Sequence, residues 1–207
     1  MAKNKINFGL ITKLIVLVLC VVTAVSFFLP VFGSKEESGI KYSNCMVCFL
    51  SEEKAVEKAQ EYAEESSSAA LKGNNKEAEK LMNRAISYEL ITSIKDEDFD
   101  GRAATVAGAW FHFAAMVASV VAIAFVLLTL FGKDFAKISI FATIASAVLM
   151  IVALICGISF LATEIGSSTV GEEFAFRFGG VILGLITSIL ATAATVVPCL
   201  IKKKKSK

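Results

Sequence analysis

Four stretches of this chain, Leu14 to Ser34, Ala103 to Gly132, Ile138 to Thr163 and Phe178 to Ile201, contain no Asp, Glu, Lys or Arg. A helix rising about 1.5 Å per residue needs roughly 20 residues to cross a hydrocarbon core of about 30 Å. Each stretch meets that length, and a helix satisfies its own backbone polar groups where water is absent. With 56% hydrophobic residues overall, the chain is expected to be a membrane protein of the all-α class. The expected architecture is a four-helix transmembrane bundle with an extracytoplasmic helical hairpin between its first two helices.

Positive charge in short loops is retained on the cytoplasmic side during insertion. Lys3, Lys5 and Lys13 precede the first stretch, Lys133 and Lys137 separate the second from the third, and Lys202, Lys203, Lys204, Lys205 and Lys207 follow the fourth. Against these ten basic residues stands the single Asp134, whereas residues 35–102 hold ten basic and fifteen acidic residues. The layout read from this is a cytoplasmic N-terminus over 1–13 and transmembrane helices over 14–34, 103–132, 138–163 and 178–201. An extracytoplasmic hairpin region covers 35–102, a cytoplasmic loop 133–137, a short outer loop 164–177 and a basic cytoplasmic tail 202–207. Localisation is expected at the cell membrane, or at the endoplasmic reticulum in a eukaryote, where Lys204 and Lys205 would serve as a retrieval signal. A second reading makes the first stretch a cleavable leader, with Val31-Phe32-Gly33 before Ser34 as the cleavage pattern.

The segment between the first two stretches is too long for a plain connection. Ser51 followed by Glu52 and Glu53 reads as a helix start, and Lys72-Gly73 as its end. Asn74 with Glu77 opens a second helix that runs to about Ile94. Ala55, Ala59, Tyr62, Ala63, Ala69 and Ala70 make one apolar stripe, and Ala78, Leu81, Met82, Ala85 and Ile86 another. The run YAEESSSAALKGNNKEAEKLMNRAISYE resembles one tetratricopeptide helix pair, with Gly73 at the turn and Ala78 and Ala85 at the small-residue contact positions; Ser66 stands where that pattern has a glycine. The resemblance implies a single antiparallel helix pair. In the order of its long and short outer loops the chain is also similar to claudins, in topology alone and without their outer-loop tryptophan and cysteine signature.

Small residues four apart let membrane helices approach closely. Gly180, Gly184, Ser188 and Thr192 form such a packing stripe on the fourth helix, Ala114, Ala118 and Ala122 on the second, and Ala153 with Gly157 on the third. These faces would build either the bundle or a homo-oligomer.

Three places could carry chemistry. Asp96, Asp98 and Asp100 before Gly101 match the first half of a calcium loop, but position twelve is Ala107 where a bidentate Glu is required. They are either a weak calcium site or a solvated acidic collar. Cys45 and Cys48 form a CxxC that reads as a redox pair, a structural disulfide or two free thiols. His112, the one histidine, sits beside Trp110, Phe111 and Phe113 and reads as part of an interfacial aromatic anchor. No catalytic constellation or cofactor motif stands out, and a nucleic-acid partner is excluded by the lack of a basic surface with aromatic platforms. The expected partners are the lipid bilayer and a second copy or another membrane protein. The function read first is a non-catalytic interaction or scaffolding role. The alternatives are a subunit of a channel or transporter, with Thr187, Ser188, Thr192 and Thr195 along a wet path, and a membrane thiol oxidoreductase.

Overall fold

The computed structural model describes residues 8–34, 41–96, 101–132, 135–161, 174–175 and 179–205. In chain order these form α1 (Phe8–Ser26), β1 (Pro30–Ser34), β2 (Lys41–Ser43), α2 (Asn44–Phe49), α3 (Glu52–Leu71), α4 (Asn75–Lys95), α5 (Arg102–Leu130), α6 (Ala136–Leu161), β3 (Phe174–Ala175) and α7 (Gly179–Lys205). Four helices are long and apolar enough to cross a membrane, over Gly9–Ser26, Arg102–Leu130, Ala136–Ser159 and Gly179–Pro198. Their outward faces are as apolar as their inward ones: Val18, Phe141, Val148, Ile155 and Ile186 are all more than half exposed. A water-soluble surface seldom carries so many large apolar side chains together, so the four are compatible with a multi-pass membrane protein.

The first helix differs in position from the hydropathy reading. α1 begins at Phe8 and stops at Ser26, and Pro30–Ser34, expected as its last turn, is a strand. Pro30 has no N–H to donate, a defect that a strand tolerates at its first residue and a helix interior does not. The all-α expectation thus holds for the long elements, with a small sheet added, ordered β2-β1-β3. β1 pairs antiparallel with β2 through Phe32↔Tyr42 and Gly33↔Lys41, and with β3 through Gly33↔Ala175.

Two compact units make up the chain. The first takes in α1, Ala114–Ile151 and the chain from Ile182 onward. Here α1 and α5 run antiparallel. Lys13 Nζ donates to the Thr129 carbonyl at 2.9 Å, setting a cation on the negative end of α5, where carbonyls lack intrahelical donors. Val16, Cys20, Ala122, Val126, Ala142 and Ala191 form the core of this unit. On α5 the buried face in this unit is Ala115, Ser119, Ala122 and Val126; of the expected Ala114, Ala118 and Ala122, the last is buried and the other two are half-buried. The helix turns 3.6 residues at a time, so a strict spacing of four drifts around the cylinder whereas alternating fours and threes stay on one face.

The second unit takes in Phe27–Phe113 and Val152–Val181. Its largest part is the pair α3 and α4. Ser51 caps α3, its side chain accepting from the Lys54 N–H at 3.3 Å. Gly73, with φ of 76°, takes the left-handed turn between the helices, a conformation that costs a Cβ-bearing residue about 1 kcal/mol or more. Ala55, Ala59, Ala78 and Ala85 are buried, whereas Met82 is exposed. Ser66, also buried, donates to the Ala78 carbonyl at 2.7 Å. Tyr62 stacks on Tyr88 with ring centroids 5.7 Å apart, and the Arg84 guanidinium lies over the Tyr62 ring. The far end of α4 buries Asn83, Ser87, Ile91 and Ile94, and α4 also meets α2 and β2. In the same unit Gly108 on α5 faces α6 so closely that a Cβ there would lie 3.1 Å from that of Cys156.

Candidate functional site

The sequence-singled residues that come closest together lie around α2. This short helix, NCMVCF, has no charged side chain, buries Asn44 and Val47, and leaves Phe49 exposed. Asn44 Nδ2 lies 2.9 Å from His112 Nδ1. An amide N–H can only donate, so the ring nitrogen accepts here with its lone pair. Both side chains are buried, His112 completely. Phe27 packs edge-on against the imidazole at 5.5 Å, and is itself completely buried. Around Phe27 stand Phe28, Phe49 and Phe113 at 5.3, 6.2 and 5.6 Å. Trp110 meets Phe49 at 6.1 Å and Phe113 at 5.7 Å. Edge-to-face geometry prevails, in keeping with the negative face and positive rim of each ring.

His112 thus serves inside the protein rather than at an exposed boundary, while Trp110 and Phe111 keep exposed faces. Sequence reading missed Asn44, Phe27 and Phe49, which lie 68, 85 and 63 positions from His112 in the chain. The one signal that could have found them is the charge-free run from Tyr42 to Leu50, too short to span and too apolar for a solvated loop. An amide and a phenyl ring thus help to fix the orientation of the imidazole.

Cys45 and Cys48 lie within α2 itself, three residues apart, and both are free thiols. Burial pushes the Cys45 thiol up. Cys48 is pushed up to about 11, first by burial and then by a neighbouring Cys45 thiolate, with Lys95 acting the other way. A redox or nucleophilic cysteine needs the opposite shift, so α2 holds its thiols protonated.

Of the three aspartates, Asp98 and Asp100 lie outside the described residues. Asp96 ends α4, its N–H bonded to the Thr92 and Ser93 carbonyls. Among the described residues no three His, Cys, Asp or Glu side chains gather around a common point.

The packing stripe on α7 lies against its neighbours within each unit. Gly180 is buried in the second unit. In the first, a Cβ on Gly184 would fall 2.5 Å from Ser26 Oγ and 2.7 Å from Met150 Cε. Ser188 is buried and donates to the Leu185 carbonyl at 2.9 Å. Thr192 donates across to the Thr143 carbonyl on α6 at 2.9 Å. Other hydroxyls join helices in the same way: Thr23 with Thr187 at 2.7 Å, Ser119 with Ser146 at 2.8 Å, and Thr143 with Thr195 at 3.2 Å. Such bonds between membrane helices contribute about 0.6 to 2 kcal/mol each.

No family model, curated protein or solved structure matches this chain.

Proposed function

We propose that the protein is a multi-pass membrane protein with a non-catalytic interaction or scaffolding role. It presents the α3 and α4 pair on the extracytoplasmic side, and both termini are cytoplasmic. The observation that carries this reading is the insertion of a self-packed, charge-rich helix pair between two of the four helices able to cross a membrane. The pair holds its own alanine interface and a buried Ser66 bond. Its outer surface exposes Val56, Leu71 and Met82 among charged neighbours, a surface suited to a binding partner. Orientation follows from the lysines that flank the other ends of the helices.

The chemistry around the pair supports a binding role over a catalytic one. The α2 thiols are held protonated, and the hydroxyls at Thr187, Thr192 and Thr195 are engaged with other helices or with carbonyls, which favours helix cohesion over a wet path. Photo-crosslinking residues placed at Leu71 and Met82 in native membranes test the reading. Discrete crosslinked products are expected, either a dimer of this chain or one other membrane protein. Absence of any product from a properly folded variant would contradict it.

A further inference from the structure

We propose that α2 and the aromatic cluster around it are seated in the outer boundary of the bilayer, with Phe28, Phe49 and Trp110 facing lipid. The proposal deepens the reading of four membrane-crossing helices and rests on it. It assigns to the membrane a piece of chain, residues 44–50, that hydropathy alone leaves in the aqueous segment.

Three observations carry it. The first is exposure: Phe28 and Phe49 are each 58% exposed and Trp110 46%. Phe49 touches Trp110, and the buried Phe27 packs under both Phe28 and Phe49, so the three exposed rings rest on one cluster and are not scattered side chains. Contiguous exposed apolar surface marks an interaction face. The second is position. Phe27 and Phe28 follow directly on Ser26, the last residue of one apolar helix able to span, and Trp110 lies in another, Arg102–Leu130. Tryptophan and other aromatic rings concentrate where hydrocarbon meets headgroups. The third is the absence of charge. No charged residue occurs over 14–34, 42–50 or 103–132, so no charge interrupts the chain on either side of the patch, and Phe111, next to Trp110 in sequence, is exposed as well.

The buried Asn44 to His112 bond then has a positional meaning. It ties the polar start of α2 inward to α5 and leaves the apolar end of the same helix turned outward. Val47 is buried and Phe49 exposed, so α2 would lie along the boundary, its aromatic rings about 5–10 Å below the headgroups.

The single tryptophan makes this directly testable in full-length protein reconstituted into phosphatidylcholine vesicles. The reporters are Phe49→Trp and Phe28→Trp, each in a Trp110→Phe background, with the wild-type chain as reference. Fluorescence is read with unbrominated lipid, with lipid brominated near the top of its acyl chain or near the end, and with aqueous iodide. For both reporters, bromines near the top are expected to quench emission by roughly half, those at the chain end less, and iodide little. Quenching by iodide but not by brominated lipid would place α2 in water and overturn the proposal. Protection from both would mean that protein covers the patch, a second copy or another chain, and would overturn it equally. Wild-type Trp110 separates the two levels of inference. If it is quenched by brominated lipid while the reporters are not, only the seating of α2 fails; if it is quenched by iodide and by no brominated lipid, the span of α5 fails.

Discussion

Gly184 and Cys48 show how much one side chain, or its absence, decides here. At Gly184 a new Cβ would meet Ser26 Oγ and Met150 at less than van der Waals distance, and Ser26 is held by its own bond to the Thr23 carbonyl at 2.6 Å. Gly184→Val should therefore force α1 and α6 away from α7 and cost about 1–3 kcal/mol, read as a lowered melting temperature in detergent. An unchanged midpoint would mean that the helices are not packed through this glycine. At Cys48 the consequence is kinetic. A thiol shifted from 9.0 to about 11 exposes roughly a hundredfold less thiolate near pH 8 than an unfolded one, since each unit is a factor of ten. Alkylation of Cys48 in folded protein should be slower by about that factor and should accelerate as pH rises toward 11. The sign for stability follows: the folded state holds the proton more tightly, so this contribution is intact below about pH 9 and lost between there and about 11. Alkylation at the unfolded rate near neutral pH would contradict the shift and favour the redox reading of this pair.

At the scale of elements, α3 and α4 form the best-supported unit. Ser66→Ala removes the buried bond to the Ala78 carbonyl, which keeps its place in the α4 helical ladder, so the cost is that of one hydrogen bond, about 0.5–1.5 kcal/mol. Hydrogen exchange along the middle of α3 and the start of α4 should speed up, whereas the ends near α2 should change little; uniform protection in the variant would contradict the assigned contact. This pair was also the most legible in the sequence, because its signals are local: Ser51, Lys72 and Gly73 act on the backbone within a turn of themselves. Ser66 was noted only as a departure from a pattern, and its partner twelve residues away was not visible. The end of α1 was read too late, since Pro30, Val31 and Phe32 are as apolar as a helix and hydropathy does not distinguish a short strand appended to one. On α5 the expected Ala122 is buried, but Ala115 and Ser119 take the place of Ala114 and Ala118, because a strict spacing of four drifts around a helix of 3.6 residues per turn. The aromatic cluster with Asn44 and His112 is not legible in the sequence: residues from α2, α5 and the Phe27-Phe28 pair after α1 meet there, and nothing periodic in the chain announces the meeting.

At the scale of the whole molecule, the account rests on polarity assigned by position. Helices with apolar outer faces use hydroxyl pairs, a lysine on a helix end and close glycine approaches to hold together, as a chain must where water supplies no hydrogen bonds. The proposed orientation puts the charge-rich α3 and α4 pair on the side opposite the lysine-rich ends. The most direct test is labelling with a membrane-impermeant maleimide on intact cells, using single-cysteine variants Glu64→Cys and Ser206→Cys with the five native cysteines replaced by serine. Glu64→Cys should label from outside, and Ser206→Cys only after the membrane is opened. Labelling of both from the same side would contradict an odd number of crossings between α4 and the tail, and the reverse pattern would invert the assigned orientation.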